Sequence, residues 1–126
     1  MNEESVLFQR LSAYTNPLPF DFRQRVLAAC ETEGIPQFAD PIIHNLVGMR
    51  DVGIREGYGE LHAGHIVAVV LSAIFMMIEQ RYPAENVIAA IKVGPKLLVS
   101  LIPNPTVRKD ALTYYFEKID EIAKNK

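Results

Sequence analysis

With 126 residues the chain has room for one domain around one hydrophobic core, and a 49% hydrophobic content excludes a disordered chain. A formal net charge of −2 without any basic cluster argues against a nucleic-acid or anionic-membrane partner. Cys30 is the only cysteine, so no intramolecular disulfide can form, and a cytoplasmic, reducing home is expected. The opening MNEESVLFQRL is acidic where a signal peptide is basic. Residues 1–60 hold nine acidic and five basic residues, against six and eight in residues 61–126, an imbalance too small to name a partner.

Prolines and glycines divide the chain into segments of helical length. Asn2 is placed to cap a first helix, with Leu7, Leu11 and Tyr14 recurring at helical spacing. Asn16-Pro17-Leu18-Pro19 must be extended, because each proline removes a donor and restricts the residue before it. Asp21 reads as the cap of a second helix with Phe22, Val26, Leu27 and Cys30 on one side. Gly34 then supplies a left-handed stop, with Ile35 and Pro36 behind it. Asp40-Pro41 repeats the start signal for a third helix through Ile42, Leu46 and Met49, which should fail near Gly53.

Residues 53–64, GIREGYGELHAG, hold four glycines in twelve positions and read as an irregular connection. A central apolar helix should follow over about 61–82, ended by Pro83. Its uninterrupted core, Ile66 to Ile78 broken only by Ser72, is 13 residues, short of the roughly 20 a membrane-spanning helix requires. Being apolar all round, it should be enclosed by other helices or by a partner subunit. Ala84 to Val93 forms the next helix. Gly94-Pro95 should break it before a short helix over Lys96–Ile102. Asn104-Pro105 starts the last, burying Leu112, Tyr115, Phe116, Ile119, Ile122 and Ala123, with Tyr114 outside.

The predicted fold is therefore all-α, a single helical domain over 1–126 with five to six helices. The competing reading makes Ile66–Phe75 and Lys92–Ile102 buried strands, since periodicity does not separate helix from strand in continuous apolar runs.

Candidate chemistry concentrates in Glu56-Gly-Tyr-Gly-Glu60-Leu-His62-Ala-Gly-His65. If a helix has begun by Leu61, His62 and His65 stand one turn apart on one face. Glu60 or Glu56 would add an oxygen ligand and His44 a third nitrogen, a set suited to a divalent metal ion. An open coordination position would then acidify a bound water for hydrolysis. The pattern lacks the HExxH order. The positions three before the histidines are Gly59 and His62, so the carboxylate-x-x-His pattern of helical di-metal bundles is not met either. The blander reading is that the two histidines cap or pack the start of the apolar helix.

Two further readings attach to the same segment. Its glycines could present backbone N–H groups to an anion with Arg55 beside them, although neither the P-loop nor the dinucleotide spacing is present. Alternatively Arg55, Tyr58 and His62 would converge on a small-molecule pocket near residues 53–65. Elsewhere, Ser72 reads as bonded back to its own helix, Cys30 as a small hydrophobe, and Met76 and Met77 as core filler.

The sequence thus favours a non-enzymatic protein-interaction module, small regulatory or adaptor in kind, that binds a protein partner or self-associates as a homo-oligomer without a cofactor. A small-molecule binder and a metal-dependent enzyme using His62 and His65 are the alternatives.

Overall fold

The computed structural model describes residues 3–57 and 60–124, and every described segment of length is helical. The order is α1 (Glu3–Ser12), α2 (Phe22–Glu31), a 3-10 turn (Pro36–Phe38), α3 (Ala39–Glu56), α4 (Ala63–Glu79), α5 (Ala84–Leu101) and α6 (Pro105–Lys124). Of the two apolar runs open to a strand reading, Ile66–Phe75 lies within α4, and Lys92–Ile102 lies within α5 up to Leu101, with Ile102 as its C-cap. No described helix is long and apolar enough to cross a membrane.

The apolar α4 is the spine, packed by α1, α3, α5 and α6, while α2 closes the far side against α3 and α5. Ile66, Val67, Val70 and Ile74 of α4 meet Leu46 of α3, Leu97 and Leu98 of α5 and Tyr115 of α6 in one fully buried cluster. Each such Leu or Ile contributes about 1.5–3 kcal/mol by leaving water. Enclosure is incomplete, however. Ser72 and Met76 on the outer side of α4 are exposed, so Met76, unlike the buried Met77, is not core filler.

Helix ends follow local chemistry where the residues supply it. Gly34 takes φ +74 after α2, with Gly34 N–H donating to Glu31 O and Ile35 N–H to Cys30 O, the paired bonds of a Schellman ending. Ile35 is buried as the accompanying apolar contact. Asn104 caps α6, its Oδ1 accepting from Thr106 N–H (2.9 Å) and Val107 N–H (3.1 Å), with Pro105 at the first position.

Elsewhere the tertiary structure overrides the local signals. Asp21 makes no capping bond; Arg25 Nε holds its carboxylate at 2.7 Å instead. Leu27 is exposed and Ala29 takes its place on the buried face of α2. α3 begins at Ala39, directly behind the 3-10 turn, and runs three residues past Gly53 to Glu56. On α6 the buried stripe is rotated toward Ala111 and Tyr115. Phe116 and Ala123 are exposed, while Tyr114 packs partly buried against Phe8 with ring centroids 5.4 Å apart.

The largest departure is α5, which continues through Gly94-Pro95 without a break. Pro95 cannot donate to the carbonyl of Ile91 four residues back. Tyr115 of α6 supplies the missing donor, its hydroxyl lying 2.6 Å from Ile91 O. Gly94 makes that approach possible, because a methyl at this position would overlap the Tyr115 ring and hydroxyl. Burial pushes the Tyr115 phenol far above its ordinary range, so it stays a donor. The C-terminal carbonyls of α5 are likewise met from elsewhere. Arg25 Nη1 donates to Ser100 O (2.9 Å), Asn16 Nδ2 to Leu101 O (3.0 Å) and Arg108 Nε to Ile102 O (2.9 Å).

Candidate functional site

Between the second half of α3 and the start of α4 lies an open cleft of about 800 Å³. Helical spacing builds both walls. His44, Gly48 and Val52 form one i, i+4 row on α3, with Asn45, Met49 and Gly53 beside it. The α4 side presents His62, His65, Val69 and Ser72, and Glu60 and Leu61 of the connection close one end. Gly48 meets nothing within 4 Å of where a side chain would begin, so the cleft wall is open at its middle. Met49, which the sequence assigns to the core, is half-exposed here, as is Val52.

The position of α4's first turn is fixed from two directions. Residues 14–16 pair with residues 61–63: Asn16 N–H donates to Leu61 O (2.7 Å), and Ala63 N–H donates to Tyr14 O (3.0 Å). His62 is the N-cap residue itself. Its Nδ1 accepts from His65 N–H at 3.1 Å, while His65 Nδ1 accepts from His62 N–H at 3.2 Å. The pair therefore forms a reciprocal capping box in which imidazoles replace the usual hydroxyl and carboxylate. The two rings stack, centroids 3.5 Å apart and planes 15° from parallel.

This arrangement fixes the protonation of both rings. A neutral imidazole whose Nδ1 accepts carries its proton on Nε2. Burial lowers the pKa of His62, with the neighbouring His65 adding to the effect, and burial lowers that of His65. Both shifts favour the neutral, cap-forming state.

Three of the four proposed metal-site residues, His44, Glu60 and His62, thus share the cleft wall with the fourth, His65. Among the described residues, however, no group of three or more His, Cys, Asp or Glu is gathered closely enough to hold a metal ion. Both Nδ1 atoms are already engaged by the backbone. Ligand lone pairs lie in the ring plane, and two nearly parallel planes 3.5 Å apart do not meet within bonding reach. In this arrangement the two imidazoles do not converge on one ion.

Of the small-molecule set, His62 lines the cleft. Arg55 does not: it is exposed on the last turn of α3, its Nε 4.0 Å from the Glu56 carboxylate. Tyr58 lies outside the described residues. The anion-site reading finds the Ala63 and His65 N–H groups at the helix start already bonded, to Tyr14 O and His62. Ser72, read from sequence as bonded to its own helix, is exposed on the cleft wall. Cys30 is fully buried and its thiol is pushed up to about 11 by that burial, leaving it a small hydrophobe rather than a nucleophile.

Asn45, Gly48, Val52 and Val69 were not recognisable as cleft residues from sequence. The available signal was the spacing of His44, Gly48 and Val52, a polar-to-small row that leaves one α3 face without bulk. Searches against protein families, characterised proteins and solved structures return no match for this chain.

Proposed function

We propose that the chain is a non-enzymatic protein-interaction module that receives an apolar protein segment in the α3–α4 cleft, a second copy of the chain being the first partner to test. The observation that carries this reading is the make-up of the cleft. Apolar Met49, Val52, Leu61 and Val69 alternate with hydrogen-bonding groups, Asn45, Ser72 and the capped histidines, and Glu60 supplies the one carboxylate among the described lining residues. Such a surface suits helix-in-groove or strand recognition, where apolar anchors supply affinity and a few polar groups fix register. A hydrolytic site requires converging acid, base or metal groups, and His62 and His65 turn their Nδ1 atoms to the backbone instead.

A second reading, a small-molecule binder at the same place, is favoured by the volume, which falls within the range of ligand pockets. Native mass spectrometry separates the two. Masses at multiples of 14.2 kDa that Gly48→Leu returns to monomer support docking of a second copy. A strictly monomeric wild type carrying a stoichiometric organic mass moves the assignment to a small-molecule site. A monomer without added mass at every concentration removes self-association. Gly48→Leu is the informative variant because its side chain starts in open space and points the change at the cleft.

A further inference from the structure

We propose that the stacked His62–His65 pair is an acid-released latch that holds the start of α4, and with it one wall of the α3–α4 cleft, in place. The geometry carries the proposal, whatever occupies the cleft. Each imidazole accepts a backbone N–H of the other residue through Nδ1. An imidazolium has a proton on both nitrogens and accepts nothing. Protonating either ring therefore removes one cap bond and turns an N–H toward an N–H. It also places a positive charge at the positive end of the helix dipole and against a ring 3.5 Å away. A serine–glutamate capping box has no such response between pH 7.5 and 5.0, because a hydroxyl does not titrate and a glutamate protonates only near about 4.3.

The groups around the pair do not offset this. α3 contributes the His44 imidazole, and the connection contributes the exposed carboxylate of Glu60. From α1, the Ser12 hydroxyl faces Gly64 and Tyr14 offers its backbone carbonyl to Ala63. No described residue of α5 or α6 lines the cleft. The sign of the linkage follows. In the unfolded chain both histidines take up protons near their ordinary value of about 6.5, whereas the folded pair resists protonation. The latch is complete above that value, and its stabilisation is lost as the pH falls below it. Because residues 61–63 also pair with residues 14–16, release loosens the strap between α1 and α2 together with the cleft wall.

The test is amide exchange and imidazole ¹⁵N spectroscopy on the full chain between pH 7.5 and 5.0. The comparison variant is His62→Ser with His65→Gln, which restores a non-titrating capping box. In the wild type both rings should report the Nε2–H tautomer at pH 7.5. Protection of the His62 amide, whose acceptor is His65 Nδ1, should then fall about tenfold at pH 5.0 after correction for intrinsic exchange, the scale of one lost cap. The double variant should hold its protection within about twofold. Should that variant not fold, His65→Gln alone replaces the titrating acceptor of the His62 N–H and serves in its place. An Nδ1–H tautomer at either ring, unchanged protection in the wild type, or an equal loss in the capping variant would each overturn the latch.

Discussion

Gly57 and Gly94 both stand in a helical context, and they behave oppositely. At Gly57 the chain turns left-handed, φ +82, and α3 stops. At Gly94, followed by the stronger breaker Pro95, α5 continues for seven more residues. The difference lies in who satisfies the backbone. From Ile54 to Gly57 the chain is exposed, so little packing would hold a continued helix there. Around Gly94 the helix is buried against α6, and Tyr115 donates to the one carbonyl that Pro95 leaves open. A breaker ends a helix when the lost hydrogen bond has no substitute and the lost packing is small.

Removing the substitute should break this contrast. Gly94→Ala is expected to have the largest effect, because its methyl collides with a fully buried ring; about 3 kcal/mol of stability should disappear in denaturant unfolding. Tyr115→Phe keeps the ring but orphans Ile91 O, and should cost about 2 kcal/mol. Pro95→Ala in the Tyr115→Phe background restores the helical N–H and should recover most of that loss. An additive double mutant would sink the account of α5. Arg81 tests the opposite end of the comparison. It closes α4 at φ +59 in a Schellman arrangement, Tyr82 N–H to Met77 O and Arg81 N–H to Ile78 O, without the glycine that closes α2. Arg81→Gly should therefore stabilise by about 1 kcal/mol, read as a rise in Tm. The smallest effect is expected from His62→Ala at pH 7.5, about 1 kcal/mol for a lost cap, with His62→Asn close to wild type.

Much of the helical order was legible because it rests on local chemistry. Gly34, Pro83 and Asn104-Pro105 mark boundaries through φ preference, a missing donor and a side-chain acceptor, all of which act within a few residues. The end of α4 at Arg81 was signalled only by Pro83, since nothing about an arginine announces a left-handed turn. The face assignments erred where two apolar residues compete for one stripe: Ala29 is buried and Leu27 exposed, Ala111 is buried and Phe116 exposed. A small residue allows closer helix approach than a large one, and hydropathy alone does not register that.

The site divides in the same way. The proximity of His62 and His65 was visible from their spacing, and capping of the apolar helix was one reading of it. That their rings would stack and exchange backbone bonds depended on where the helix starts, which the pairing of residues 61–63 with residues 14–16 helps to place. The α3 wall of the cleft was not legible, because a cleft depends on how far two packed helices splay apart, which the residues of neither helix record.

By itself the sequence determined the boundaries that glycine, proline and asparagine impose, through backbone sterics, and it favoured the all-α class and a central apolar helix through the 13-residue length of the Ile66–Ile78 run. Only the tertiary structure decided the continuity of α5, the rotation of each buried stripe and the cleft between α3 and α4. Each of those depends on a partner from another part of the chain, and neighbouring residues carry no record of it.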